Sequence, residues 1–317
     1  MTTPLWLIVG FLGAGKTTVL RRLVRYANER NYIFLVNEFS AVDMDAALIE
    51  REGGDALVVA GGSIFCRCRV TEFIEALTRI ANGVQRPNGD IIQPQGVIIE
   101  ASGMADPRSL RRLLAESKLD SHYHVAGVVA VVDPGVLMKL FLVLPNIRGQ
   151  ITSADLVLLN KVDLHNPETI AKVREKISSI NPDATIIRCT QGNVPPEIIL
   201  ADSPASRIAQ VDAEFGLCQD PNFEREVIRF KTPVDNEKLR AVFAAANAEG
   251  LYRAKGFVST TDGWQYLDWS NGTFSLTPCP PATGDVSCIV LIWNPLLANA
   301  VTSQLRGLEH FSEKCTR

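Results

Sequence analysis

Short apolar segments alternate with longer amphipathic segments through most of the N-terminal part of the chain. Continuous apolar runs are typical of strands buried on both faces of a sheet. Such strands are predicted at Leu5–Val9, Tyr32–Val36, Val97–Ile99, Gly127–Val132, Leu156–Leu159 and Thr185–Arg188. Amphipathic periodicity predicts helices between them, at Lys16–Arg30, Thr71–Ala81 and Glu168–Ile180. Strands that alternate with helices predict a mainly parallel sheet covered on both faces.

The pattern changes after Gln191–Pro221, a proline-containing stretch whose weak periodicity predicts a connecting loop. A smaller α+β domain is predicted beyond it, with a helix at Asn236–Glu249 and another in the tail from Pro295. Its strands are predicted at Glu226–Phe230, Gly256–Thr260 and Cys288–Trp293, with a hairpin of Gln265–Trp269 and Thr273–Leu276 around Asn271-Gly272. The predicted domains are residues 1–200 and 223–317, joined by a linker at 201–222.

The amino-acid composition is that of a globular protein, and the charge balance limits the classes of partner that the sequence predicts. The chain has 317 residues, of which 46% are hydrophobic, and its 32 basic and 35 acidic side chains give a net charge of -3. This balance predicts neither nucleic acid nor a membrane as a partner. Seven scattered cysteines indicate reduced thiols and a cytoplasmic location rather than a disulfide scaffold. Leu5–Val9 leads directly into a glycine-rich loop, which predicts a core strand rather than a signal peptide.

That glycine-rich segment connects the first predicted strand to the first predicted helix. Residues 10–17, GFLGAGKT, match the pattern G-x-x-x-x-G-K-[ST] of phosphate-binding loops without deviation. Glycines let the backbone N–H groups converge on phosphate oxygens, and the start of a helix adds its positive dipole end. Lys16 is predicted to reach the β- and γ-phosphates as a catalytic residue, and the Thr17 hydroxyl to bind Mg²⁺. The predicted nucleotide-binding residues here are Gly10, Gly13, Ala14, Gly15, Lys16, Thr17 and Thr18.

A carboxylate ends the predicted strand at Val97–Ile99, and a short turn with a glycine follows it. In P-loop proteins an acid at the end of a neighbouring strand holds Mg²⁺, usually through water, so Glu100 is predicted to be a catalytic residue and a magnesium ligand. Gly103 is predicted to donate its N–H to the γ-phosphate. Because that contact exists only before hydrolysis, this segment can act as a switch.

Residues 160–163, NKVD, follow the predicted strand Leu156–Leu159. Ligands of parallel sheets bind at the carboxyl ends of the strands. Asp163 is predicted to accept hydrogen bonds from the N1–H and 2-amino groups of guanine, a pair of donors that adenine lacks. The stem of Lys161 can cover the base, and Asn160 can tie this loop to the phosphate loop. The predicted nucleotides are therefore GTP and GDP, in an α/β P-loop NTPase domain with a mainly parallel sheet.

With these motifs, the chain resembles the CobW-like GTPases, relatives of the urease and hydrogenase nickel-insertion GTPases. The segments that carry the resemblance are 10–18, 37–39 (NEF) with Asp45, 100–107 (EASGMADP), 160–163, and 253–256 (RAKG) in the C-terminal domain. They match the family's phosphate loop, two switches, base motif and C-terminal signature, and span nearly the whole chain. The resemblance implies a GTP-dependent metallochaperone or cofactor-assembly factor. Such proteins carry Zn²⁺ or Co²⁺ to a client metallo- or cofactor-dependent enzyme, and GTP binding is coupled to metal affinity.

The family's metal motif, C-x-C-C after a Gly-Gly or Asn-Gly pair, is incomplete in this sequence. After Gly61-Gly62, Ser63 and Phe65 replace two of the three cysteines, and Cys66 remains in register with Cys68 two residues beyond. Two thiolates do not complete a tetrahedral zinc site, which usually has four ligands. Cys66 and Cys68 could bind Zn²⁺ or Co²⁺ with ligands from a second subunit of a homodimer, or be inert loop thiols.

Further transition-metal ligands are scarce. A glutamate that flanks the first switch in some members is absent, since Val36 and Ala41 stand at its edges. His122 and His124 would share a face on a strand, and we interpret them as ordinary histidines. The remaining cysteines are interpreted as structural: Cys189, Cys218, Cys279, Cys288 and Cys315.

Three functions stay open on the sequence. The first is a GTPase metallochaperone with a degenerate metal loop. The second is a GTP-switched protein whose C-terminal domain docks on a client enzyme and gates metal or corrinoid loading, without itself binding a transition metal. The third, an ATP-dependent kinase, conflicts with residues 160–163. Slow hydrolysis is expected, because no glutamine is evidently placed to position water and Arg108 and Arg111 are interpreted as solvated helix charges.

Overall fold

The computed structural model divides into two compact units, Met1–Cys218 and Gln219–Arg317, which are described separately. The residues that the structure describes are 2–38, 49, 53–60, 70–85, 89–101, 103, 107–141, 145–203, 224–245, 251–270, 272–281, 287–293 and 310–313. Among these residues, no helix is long and apolar enough to cross a membrane.

The N-terminal unit is built on a seven-stranded sheet in the order β3-β2-β6-β1-β7-β8-β9. Every neighbouring pair in it is parallel. Its strands are β1 (Thr3–Val9), β2 (Tyr32–Glu38), β3 (Ala56–Ala60), β6 (Gly96–Glu100), β7 (Tyr123–Val132), β8 (Leu156–Leu159) and β9 (Thr185–Arg188). Between β3 and β6, β4 (Val84–Gln85) and β5 (Ile91–Ile92) form a short antiparallel pair. The parallel sheet confirms the predicted α/β fold.

Helices connect the parallel strands, as parallel pairing requires. They are α1 (Lys16–Asn28), α2 (Val70–Ala81), α3 (Leu110–Glu116), α4 (Pro134–Leu140), α5 (Pro145–Thr152) and α6 (Pro167–Ile180). A short helix, α7 (Pro196–Ile199), follows β9. On α1 the buried apolar residues recur at helical spacing, at Val19, Leu20, Leu23, Val24 and Ala27. They pack with strand residues such as Ile8, Phe34 and Val131 in one apolar core.

The C-terminal unit contains a six-stranded sheet in the order β13-β12-β11-β14-β10-β15. Its elements are β10 (Glu224–Phe230), α8 (Asn236–Ala245), β11 (Leu251–Thr260), β12 (Gly263–Ser270), β13 (Thr273–Pro278), β14 (Cys288–Trp293) and β15 (His310–Glu313). All its strand pairs are antiparallel. Apolar residues of α8, including Leu239 and Phe243, pack with Trp269 and Ile289 of the sheet. The predicted smaller α+β domain is confirmed.

Several predicted boundaries differ from the structure. Helix α1 ends at Asn28 rather than Arg30, because the chain turns through a left-handed residue at Asn31 (φ 53°). Strand β3 is not among the predicted strands, although it is an uninterrupted apolar run of the kind that predicted β1. Strand β11 begins at Leu251, so residues 253–256 lie inside a strand.

The two predicted irregular segments are only partly described. Helix α7 interrupts the predicted loop at Gln191–Pro221, whose residues 204–221 lie outside the described part of the chain. The predicted tail helix falls mostly on residues 294–309, which are also outside it, and the described residues 310–313 form the strand β15 instead.

Candidate functional site

The phosphate-loop sequence lies between β1 and α1, at the carboxyl edge of the parallel sheet. Two of its glycines are required by close contacts. Gly10 has φ 145°, and a Cβ there would collide with the carbonyl oxygen of Val131 on β7. Gly15 has φ 107°, and a Cβ there would collide with the side-chain amide of Asn160. Only glycine tolerates both the backbone conformation and the crowding.

Lys16 folds back over this loop. Its Nζ donates a hydrogen bond to the carbonyl oxygen of Gly10 at 2.8 Å and lies 3.5 Å from that of Phe11. The residue is 8% exposed. Thr17 is half-buried and Thr18 exposed in the first turn of α1, a turn that contains no acidic residue. The positive end of the helix dipole is therefore not neutralised locally, which favours an anion at this point.

Glu100 is the last residue of β6, the strand beside β1, and Gly103 lies three positions beyond it. Glu100 is 3% exposed and pairs in register with Ile8. Gly103 packs on the phosphate loop so closely that a Cβ there would lie 2.7 Å from Leu12 Cδ2. The Nε2 of Gln150, on α5, donates to the Gly103 carbonyl oxygen at 3.2 Å. Gln150 is 2% exposed, so Gly103 is held between Leu12 and Gln150.

Asn160, at the end of β8, joins three loops through one buried side chain. Its Nδ2 donates to the carbonyl oxygen of Ala14 in the phosphate loop at 2.9 Å. Its Oδ1 accepts from the Gly192 N–H at 3.0 Å and from the Cys189 thiol at 3.5 Å, both in the loop after β9. Burial raises the pKa of the Cys189 thiol, which keeps the proton that it donates. The contact with Ala14 is the link that the sequence predicts.

Lys161 and Asp163 occupy the turn beyond Asn160. Lys161 adopts a left-handed conformation (φ 59°), and its Nζ lies 3.1 Å from Oδ2 of Asp133, which follows β7. Asp133 is 7% exposed, and its Oδ1 accepts from the Gly135 N–H at 2.9 Å and lies 3.0 Å from His165 Nε2. Asp163 is exposed at the same edge of the sheet.

The residues predicted to bind a transition metal are not among the described residues. Cys66, Cys68 and the flanking Ser63 and Phe65 lie outside the described residues, as do Phe39 and Asp45 of the first switch and residues 102 and 104–106 of the second. Within the described part of the chain, no group of three or more His, Cys, Asp or Glu side chains could hold a metal ion.

The other predicted histidines and cysteines are distributed over the fold. His122 lies in the turn before β7 and His124 on that strand, so they do not share a strand face. His124 Nδ1 instead lies 2.9 Å from Thr2 Oγ1. Cys189 and Cys288 are buried free thiols, whereas Cys218 and Cys315 fall outside the described residues.

Four residues of this site, Asp133, Gln150, His165 and Gly192, are absent from the sequence prediction. The sequence does offer an indication of Asp133, because this carboxylate directly follows the predicted strand Gly127–Val132, just as Glu100 directly follows the predicted strand Val97–Ile99. Gly192 lies within the predicted connecting loop at Gln191–Pro221, although the carboxyl end of β9 places it at the same edge of the sheet. Gln150 lies on a helix with no motif, and only the packing of α5 reveals its contact with Gly103.

The chain matches two known domain models and several characterised proteins. Residues 4–188 match the CobW/HypB/UreG nucleotide-binding domain, and residues 223–309 match the cobalamin synthesis protein CobW C-terminal domain. The zinc chaperone CobW of Pseudomonas aeruginosa is 30% identical over 229 residues, which cover 62% of this chain and 59% of that protein. The zinc chaperone YjiA of Escherichia coli is 30% identical over 189 residues, covering 59% of this chain and 58% of that protein. The matches therefore span less than two thirds of these relatives.

Two solved structures are similar to the chain at lower identity. The Zn(II)-bound YjiA GTPase from E. coli is 21% identical, covers 98% of this chain and 99% of that one, and gives a TM-score of 0.46. HypB from Helicobacter pylori in complex with nickel is 16% identical, covers 62% and 81%, and gives 0.42. The domain match at residues 4–188 covers more than half of the sequence by itself. The chain therefore belongs to the CobW/HypB/UreG family and carries the family's nucleotide-binding domain together with the CobW C-terminal domain.

Proposed function

We propose that the protein binds and slowly hydrolyses GTP, and that it serves as a metallochaperone or cofactor-assembly factor for a client enzyme. The observation that carries this proposal is the buried Asn160 side chain, which joins the phosphate loop to the loops after β8 and β9. A phosphate-binding segment and a base-reading segment held together in this way support one nucleotide site with both functions.

Phosphate binding rests on the loop before α1. Lys16 is pre-positioned by the Gly10 carbonyl oxygen and would exchange that contact for the β- and γ-phosphates. The backbone N–H groups at the start of α1 would contact the phosphate oxygens. The donor set suits Mg²⁺, a hard cation that prefers oxygen ligands, because it consists of the Thr17 hydroxyl and the Glu100 carboxylate. Thr17 lies in the first turn of α1, after β1, and Glu100 ends the neighbouring strand β6. Bound there, Mg²⁺ would neutralise charge on the β- and γ-phosphates.

Guanine selection rests on the turn after β8. The carboxylate of Asp163 is exposed, so guanine can reach it and donate two hydrogen bonds to it. The stem of Lys161 would lie against the base. Slow hydrolysis is proposed because residues 100–107, the second switch, contain neither the glutamine that positions water nor an arginine.

The metal part of the proposal rests on the relatives that are zinc chaperones by name. Zn²⁺ or Co²⁺ would be cargo held by the Cys66 and Cys68 thiolates, with further ligands from a second subunit. The replacement of two motif cysteines by Ser63 and Phe65 favours a second candidate. In it the protein is a GTP-switched docking or gating factor that binds no transition metal itself.

Nucleotide affinity tests the GTPase proposal. Lys16→Ala should abolish binding of GTP and GDP, whereas Lys172→Ala, an exposed lysine paired with Glu168, should leave it unchanged. Asp163→Asn should weaken GTP much more than ATP, and Asp120→Asn, an exposed carboxylate before β7, should weaken neither. Isothermal titration calorimetry with each nucleotide gives the dissociation constants. Unchanged affinity in Lys16→Ala, or equal losses for GTP and ATP in Asp163→Asn, would contradict the assignment.

Metal titration separates the two candidate functions. The reduced protein would be titrated with Zn²⁺ and with Co²⁺ in its Mg²⁺-GTP and Mg²⁺-GDP forms, beside the Cys66→Ser/Cys68→Ser variant. A Cys279→Ser variant is the matched control, because Cys279 is a half-buried thiol of the C-terminal unit. Tight binding that depends on the nucleotide and disappears only in the double variant supports the metallochaperone. Absence of binding in both nucleotide states supports the docking factor.

A further inference from the structure

Asp133 is a buried carboxylate that has no part in the proposed binding of phosphate, Mg²⁺ or guanine. It lies at the carboxyl end of β7, where Val132 pairs in register with Leu159 of β8. A buried carboxylate that has no hydrogen-bond or charge partner destabilises the folded state, so the groups around Asp133 decide whether its burial is tolerated. Three donors surround it: the Gly135 N–H at 2.9 Å, His165 Nε2 at 3.0 Å and Lys161 Nζ at 3.1 Å.

The three donors are divided between the two carboxylate oxygens. Oδ1 accepts from Gly135, where it caps the start of α4, and it also faces His165. The His165 ring packs over Gly135, since a Cβ there would lie 2.5 Å from His165 Cε1. Oδ2 faces the Lys161 ammonium group. The cap and the imidazole therefore fix the carboxylate in one orientation, and that orientation presents Oδ2 to Lys161.

Lys161 is the residue whose stem would contact the base. Its ammonium group is held at Asp133 and its backbone is held in the left-handed turn after Asn160, so both ends of the side chain are fixed. Lysine otherwise loses substantial rotamer entropy when it is ordered. A stem that is ordered before the nucleotide arrives removes this cost from binding.

We propose that Asp133 is a positioning residue for guanine-nucleotide binding, which holds the stem of Lys161 in place as one wall of the base site. This inference rests on the proposed GTP function. It extends the nucleotide site to Asp133, which follows β7, whereas Lys161 follows β8. Asp133 acts through Lys161 and makes no contact with the nucleotide itself. Its effect on affinity should therefore depend on the presence of a lysine at position 161.

The test is a double-mutant cycle of Asp133→Asn and Lys161→Met, read out as the dissociation constant of GDP with Mg²⁺. Asparagine keeps an oxygen that caps α4 but removes the charge that holds Lys161. Asp133→Asn should weaken GDP by about fivefold, the scale of ordering one long side chain. Lys161→Met should weaken it by at least as much. The double variant should then bind within twofold of Lys161→Met, because the second change has nothing left to disturb.

Asn166→Ala controls for a purely structural effect, because Asn166 caps α6 through its Oδ1 at 2.8 Å and lies outside the cluster. This variant should lower the melting temperature and leave GDP affinity unchanged. Effects of Asp133→Asn and Lys161→Met that multiply in the double variant would overturn the inference, as would an Asp133→Asn affinity within twofold of wild type. If the wild-type protein fails to bind GDP, the proposed function and this inference both fail. If the wild-type protein binds GDP and the variants give either of the contrary results above, only this inference fails.

Discussion

Replacement of Asn160 by alanine removes a side chain that is 1% exposed and joins the loops after β1, β8 and β9. The Ala14 carbonyl oxygen and the Gly192 N–H both lose a partner. A buried polar group left unsatisfied costs about 1–3 kcal/mol. Because water can satisfy part of this loss, we expect Asn160→Ala to lower the free energy of unfolding by about 3 kcal/mol in all. A change of that size lowers the melting temperature of a unit of this length by about 6–12 °C.

The matched control is Asn181→Ala. Asn181 is 3% exposed, and its Nδ2 donates to the carbonyl oxygens of Ile151 and Ala154, each at 2.8 Å. This variant should lose a similar amount of stability, of the order of 2–3 kcal/mol. These contacts are with the end of α5 and the segment before β8, away from the phosphate loop.

The two variants should differ in nucleotide affinity. Loss of the Asn160–Ala14 hydrogen bond frees the loop whose N–H groups must converge on phosphate, so GDP affinity should fall by about tenfold, or 1.4 kcal/mol. Asn181→Ala should bind GDP like the wild type. Thermal unfolding by circular dichroism and titration with a fluorescent GDP analogue measure the two quantities. If both variants lost the same affinity, or if Asn160→Ala lost stability alone, the proposed role of Asn160 as the link between base and phosphate would be refuted.

Three further predictions concern the framework around the site and the second unit. Gly10→Ala should prevent stable folding because a Cβ collides with Val131. Gly89→Ala, with φ 91° but no described atom other than its chain neighbours within 4 Å of the added Cβ, should cost only about 1 kcal/mol; thermal melts compare the two variants. Tyr123→Phe should cost about 1 kcal/mol in urea unfolding, because the buried phenol donates to the Leu77 carbonyl oxygen at 2.7 Å. Burial raises the pKa of the Cys288 thiol from 9.0 to about 11, so the folded state favours the protonated thiol. That contribution is fully present below pH 9 and is lost as the pH rises to about 11; between pH 8 and 11 the free energy of unfolding should therefore fall by about 2 kcal/mol more in the wild type than in Cys288→Ala.

The nucleotide motifs could be identified from the sequence because each depends on local chemistry. A P-loop needs glycine at fixed spacings, and the positive φ angles of Gly10 and Gly15 show why those two positions accept no other residue. The strand that precedes the loop was predicted within two residues, since Leu5–Val9 is apolar without interruption. The same argument from apolar runs gave β8 and β9 at their observed bounds.

Contacts between segments distant in sequence were decided by the tertiary structure. Gln150 reaches Gly103 across 47 positions, and neither residue's neighbours in sequence indicate the other. Asp133 and Lys161 meet because β7 and β8 are parallel neighbours, which brings their carboxyl ends together. The sequence alone determined the fold class, the phosphate loop and the candidate base motif, because local backbone geometry and periodic burial specify them. Only the packed sheet decided which side chains support those motifs, because strand order and side-chain direction follow from burial of the whole core.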